Sequence, residues 1–243
     1  MPVGFRAQDA TGSGICLGAA PDWLQGAKAN VCLHEWKGIP DRLMPVRRQE
    51  LSYTNRKGVM ENEKVVGVIG GMGPEATVDL MQRILRLTPA EDDCDHIRCI
   101  VDNNPKIPSR IKAIIEGTGE NPGPCMADMA KGLEKWGADF LVIPCNTAHY
   151  YYEYVRDAVA VPVINLIDLV CETIKKQYPD RHRIGILASP SVAMTGLYTQ
   201  RLPKLGYTDV WPDPKEQENL LHVIREIKKG NLGTRVREEY DTV

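Results

Sequence analysis

From Lys64 onward, short apolar runs alternate with amphipathic segments. That alternation is what most constrains the fold. "KVVGVIG", "HIRCIVD", "DFLVIP", "VPVINL" and "RIGILAS" read as buried strands. Between them stand "PEATVDLMQRILRL", with Val78, Met81, Ile84 and Leu85 on one face, and "CMADMAKGLEKWG", with Met126, Met129, Ala130 and Leu133 in register. "TAHYYYEYVRDAV", "IDLVCETIKKQY" and "KEQENLLHVIREIKKGN" read as further helices. Strands that are apolar throughout, each followed by a helix, predict a parallel α/β sheet covered by helices.

The chain has 243 residues, 43% of them hydrophobic, enough for one large domain or two small ones. A net charge of −2, with both signs interspersed, argues against a nucleic-acid or anionic-membrane surface. The start "MPVGFRAQDATGSG" lacks the apolar core of a secretory signal. Seven cysteines, an odd number without CxxC or zinc spacing, predict reduced thiols in a cytoplasmic protein. Residues 1–59 lack apolar periodicity and read as an unassigned extension: a disordered tail, a small appended module or, the favoured reading, a non-native segment. "MENEKVVGVIGG" looks like a natural beginning, so translation is expected to start at Met60.

The loop "VIGGMGPEA" places Gly71, Gly73 and Ala76 as G-x-G-x-x-A between a strand and a helix. Backbone N–H groups at such a helix start suit an anion, either a pyrophosphate or a carboxylate. The second strand ends in Asp102 and runs into "NNPKIPSR", a proline-braced polar loop. That pattern fits a small carboxylate better than a dinucleotide. As a purely structural feature, the loop is a tight strand–helix turn.

In "FLVIPCNTAHYYY", the strand delivers Cys145 to its C-terminal end, just before a helix. Thiol pKa falls at helix N-termini, which favours a nucleophile or base. His149 is a candidate partner base, although a histidine one turn into a helix is more often bonded to local backbone. A metal site lacks further ligands nearby.

"VIGGMGPEAT", "NNPKIPSR" and "VIPCNTAH", in this order and spacing, resemble the aspartate/glutamate racemase superfamily, and within it the cofactor-independent aspartate racemases. The resemblance covers residues 64–243. It implies two similar parallel-sheet α/β domains with the active site between them: a first domain at 60–164 and a second at 165–243. It also implies two-cysteine proton transfer at Cα of aspartate or glutamate, without cofactor or metal, in a homodimer whose partner is a small amino diacid rather than nucleic acid or membrane. By the resemblance, Cys145 is catalytic. Asn146 and Thr147 hold the α-carboxylate, Gly71 and Met72 line the first loop, and Asn103 or Asn104 bonds the substrate. Arg110 and Lys228 bind the side-chain carboxylate, as a dicarboxylic substrate requires.

There are two departures from the family pattern. Ser189 and Ser191 stand where threonine and glycine are common, though Ser189 can still donate a hydrogen bond. The second catalytic cysteine, expected in a "GCTE"-like turn, has no counterpart, and "REEYDTV" falls within a helix that should lead to it. The second domain is therefore expected to be incomplete. Alternatives are a non-catalytic carboxylate-binding fragment, or another isomerase or decarboxylase of the superfamily; a nucleotide-binding oxidoreductase is more distant.

Overall fold

The computed structural model describes residues 63–241 except 232, together with the backbone of two strands, β1 (Gly4–Gln8) and β2 (Gly14–Leu17). Met60 and the remainder of the 1–62 segment lie outside the described residues.

The first sheet contains β3 (Val66–Gly70), β4 (Cys99–Asn103) and β5 (Phe140–Val142), all parallel in the order β4-β3-β5. Central β3 is buried along its whole length, as its unbroken apolar run predicts. Helix α1 (Pro74–Leu87) joins β3 to β4, and α2 (Gly123–Lys135) joins β4 to β5. On α2 the expected residues Met126, Met129, Ala130 and Leu133 are buried. Together with Ile69, Leu141 and Val155 they form the first core.

Three sequence expectations need correction. "VPVINL" is not a full strand. It runs beside β5 through one parallel bridge, Leu141–Val163, and two backbone hydrogen bonds of 2.8 and 2.9 Å, because Pro162 lacks an N–H and Asn165 already caps the next helix. "TAHYYYEYVRDAV" divides into a 3₁₀ segment, Thr147–Tyr151, and a short α3 (Tyr152–Arg156). On α1, Val78 and Leu85 are 53% and 52% exposed while Met81 and Ile84 are partly buried, so half of the expected apolar face is left uncovered among the described residues.

Asn165 starts α4 (Leu166–Gln177), its Oδ1 accepting from the N–H groups of Ile167 and Asp168. The second sheet follows. β6 (Arg183–Leu187) pairs in parallel with β7 (Thr208–Val210), while β1 adds antiparallel to the other edge of β6, giving the order β2-β1-β6-β7. This sheet is mixed rather than purely parallel, because a hairpin from the N-terminal segment supplies two of its strands. Its core gathers Ile167, Cys171, Ile174, Ile184, Ile186, Tyr198 and Leu202. Between β6 and β7 lies α5 (Pro190–Thr195). Helices α6 (Pro214–Lys228) and α7 (Thr234–Asp241) follow, α6 opening on a reciprocal Asp213–Glu216 capping box.

No helix among the described residues is long and apolar enough to cross a membrane.

Candidate active site

In the first sheet, the connection leaving β3 leads to β4 on one side, and the connection leaving β5 leads to the Val163 segment on the other. The crevice beyond the carboxyl ends of β3 and β5 is therefore a topological switch point, where open α/β sheets bind ligands. The loop after β3 carries Gly71 and Met72, and the loop after β5 carries Cys145, Asn146 and Thr147. The three quoted motifs follow the carboxyl ends of the neighbouring parallel strands β3, β4 and β5, and so lie at one end of the sheet, with Met72, Ile107 and Cys145 in the same core.

Gly71 sits at φ +88, and a Cβ there would lie 2.2 Å from the Asn104 carbonyl oxygen. Only glycine fits this approach between the two loops. Its N–H donates to Thr77 Oγ1 at 3.0 Å, so Gly71 shapes the loop and its own donor is already used. Met72 is 3% exposed and packs in the core.

Asn103 closes β4 with its side chain exposed. Asn104 is committed locally: Oδ1 accepts from Lys106 N–H at 2.9 Å, and Nδ2 faces Cys125 Sγ and Met129 Sδ, each at 3.8 Å. Of the pair, Asn103 is the residue with an open side chain. Arg110 is half-buried, with Nη1 donating to the Pro108 carbonyl at 3.2 Å.

Cys145 is 6% exposed. Directly after it, Asn146 accepts a hydrogen bond from Tyr198, and Thr147 Oγ1 lies 3.5 Å from Ser189 Oγ and 3.3 Å from Ser191 Oγ. Ser189 and Ser191 are 2.6 Å apart. Ser189 is the N-cap of α5, but its hydroxyl makes no capping bond and joins this triangle instead. The loop after β5 thus meets the start of α5 through hydroxyls, each able to donate or accept.

His149 is engaged on both nitrogens: Nδ1 with the Cys145 carbonyl at 2.8 Å, Nε2 with Leu166 N–H at 3.0 Å. Burial pushes its pKa down to about 4. It is a neutral structural histidine that braces the Cys145 turn, so the thiol has no base in His149.

Lys228 ends α6. Desolvation lowers its pKa first; among charged neighbours, Cys145 and Glu75 oppose that shift, while Arg110 and Arg225 add to it. Lys228 therefore interacts electrostatically with the thiol and with Arg110. The residue as a whole is exposed, and a long stem can leave solvent-facing methylenes while its charged end is partly enclosed.

Among residues 63–241, no other cysteine occupies the C-terminal end of a strand. Cys94 is exposed in a 3₁₀ turn, Cys99 opens β4, Cys125 lies in α2, and Cys171 is buried in α4. Burial pushes the Cys171 thiol up to about 12.

Sequence reasoning missed Tyr198 as a site residue and left Ser191 without a role. Ser191 was legible as a hydroxyl two residues past Ser189. Tyr198 carried no local signal, because its partner is 52 residues away.

Residues 69–243 match the model of the Asp/Glu/hydantoin racemase family. The chain belongs to that family. The aspartate racemase of Picrophilus torridus is similar in structure, with a TM-score of 0.67 and 33% identity over 74% of each chain. Broad specificity amino-acid racemase RacX of Bacillus subtilis is 28% identical over 171 residues, 69% of this chain and 72% of that one. Glutamate racemase of Aquifex pyrophilus is 30% identical over 116 residues, 44% of this chain and 42% of that protein. Racemases are isomerases, and this Asp/Glu/hydantoin racemase family member joins them with its motif cysteine at the sheet's switch point.

Proposed function

We propose that this amino-acid racemase family member acts on an amino diacid, aspartate or glutamate, with Cys145 exchanging the α-proton. The observation that carries the reading is the convergence of Cys145, Thr147 and the α5 serines at one crevice, with Lys228 and Arg110 in electrostatic reach.

In this reading the Cys145 thiolate takes the proton from Cα. The S–H bond forms as the C–H bond breaks, and the electron pair stays on carbon as an enolate-like anion. Asn146, Thr147 and Ser189 hold the α-carboxylate, where developing charge needs fixed donors. Met72 lines the crevice from the first loop, shaped by Gly71. Asn103 is the open amide at the end of β4, while Asn104 supports its loop. Arg110 and Lys228 take the side-chain carboxylate. Return of a solvent-derived proton from Cys145 exchanges the hydrogen with retention. Delivery from the opposite face inverts the centre, and in the two-cysteine scheme a second thiol does that. The protein acts as a homodimer in the cytoplasm.

A second reading is a carboxylate-binding protein without turnover, favoured by the lack, among residues 63–241, of another cysteine at the C-terminal end of a strand. Incubation in heavy water with each enantiomer of aspartate, glutamate and alanine separates the two. Loss of the α-proton signal from a diacid, but not from alanine, supports the racemase reading. Diacid binding with the α-proton retained supports the binding protein, and neither binding nor exchange contradicts both.

A further inference from the structure

Tyr198 is fully buried in the second core, and its hydroxyl donates to Asn146 Oδ1 at 2.5 Å. Asn146 is itself only 5% exposed and directly follows Cys145. A phenol taken out of water needs a polar partner. Here one such partner is a side chain of the cysteine loop, outside Tyr198's own core. Burial pushes the Tyr198 phenol well above its ordinary range, so it stays protonated and keeps a hydrogen to donate.

Asn146 has two chemically opposite ends. Tyr198 occupies Oδ1. Among the described residues Nδ2 makes no hydrogen bond, yet it is not one of the fully buried polar atoms left without a partner, so it keeps some access to the surface. A carboxamide turned half over would present a carbonyl in place of an NH₂. Beside a carboxylate, the first repels and the second binds.

We propose that Tyr198 is a positioning residue that fixes the orientation of the Asn146 carboxamide, so that its NH₂ faces the substrate carboxylate beside Cys145. The proposal rests on Asn146 as a carboxylate ligand. Without the hydroxyl, the two carboxamide orientations come closer in energy and a share of molecules meets the anion with oxygen.

The test is L-aspartate titration of the full chain and of Tyr198→Phe, Asn146→Ala and the double variant, with folding followed by circular dichroism. Tyr198→Phe is expected to weaken binding about tenfold. Asn146→Ala is expected to weaken it at least as much, and the double variant no further than Asn146→Ala, because one hydroxyl acts through one amide. Unchanged binding by Tyr198→Phe, or losses that multiply in the double variant, overturns the proposal and leaves the proposed function standing. Absence of aspartate binding by the unaltered chain overturns the function and this inference together. If Tyr198→Phe does not fold, nitrogen-15 spectra of the unaltered chain decide: aspartate should shift the Asn146 side-chain NH₂ resonances, and bound aspartate that leaves them in place overturns the proposal.

Discussion

The backbone N–H of Leu166 donates to His149 Nε2 at 3.0 Å, which leaves Nδ1 to carry the imidazole proton and donate to the Cys145 carbonyl at 2.8 Å. A protonated ring would set an N–H against the Leu166 N–H. His149 therefore folds neutral, its pKa falling from 6.5 to about 4. The unfolded chain binds the proton more readily between those values, so stability contributed by His149 is full above 6.5 and is lost as pH falls toward 4. The loss amounts to about 3 kcal/mol. Denaturant unfolding across this window should show it, and His149→Gln should flatten that component while lowering stability near neutral pH.

Gly71 holds a backbone conformation that side chains rarely adopt, and its neighbour across the gap is backbone rather than a movable side chain. Gly71→Ala should cost about 3 kcal/mol or force the two loops apart. Thermal unfolding with and without aspartate checks this. The variant should melt lower and lose most of the ligand-induced rise.

In the proposed reading Arg110 and Lys228 take the second carboxylate, so removing either charge should penalise a diacid selectively. Arg110→Gln and Lys228→Gln are each expected to weaken aspartate binding by roughly tenfold or more. Alanine binding should change far less. The ratio of the two affinities, measured by titration, is the readout.

Thiol labelling should follow burial and environment. Cys94 is exposed and should react quickly with a neutral alkylating reagent. Cys171, with its pKa pushed up to about 12 by burial in α4, should react only on unfolding. Mass spectrometry of the native and denatured protein distinguishes the two.

The first sheet was legible because central β3 is buried along its whole length, its neighbours are short apolar runs, and its helices keep a clean apolar period. The bounds of α1 follow from Pro74 and the end of its periodic run. Its exposed Val78 and Leu85 were not legible, since periodicity marks a face without saying what covers it. Pro162 and Asn165 turned an apolar run into a single bridge, a local effect that the run's hydrophobicity masked. The antiparallel β1 on β6 lies outside any alternating pattern, because backbone pairing at a sheet edge requires little of the side chains. At the site, Cys145, Asn146 and Thr147 were visible as a polar cluster at a strand end. The Tyr198 bond and the serine triangle were not, because they join residues brought together only by packing of the second core against the cysteine loop.

The central claim is that Cys145 is the group that moves the α-proton, and α-proton exchange in heavy water tests it most directly. The account predicts that the unaltered chain washes deuterium into Cα of at least one aspartate enantiomer, and that Cys145→Ser still binds aspartate but stops the exchange. Exchange that continues in Cys145→Ser at the original rate would contradict it.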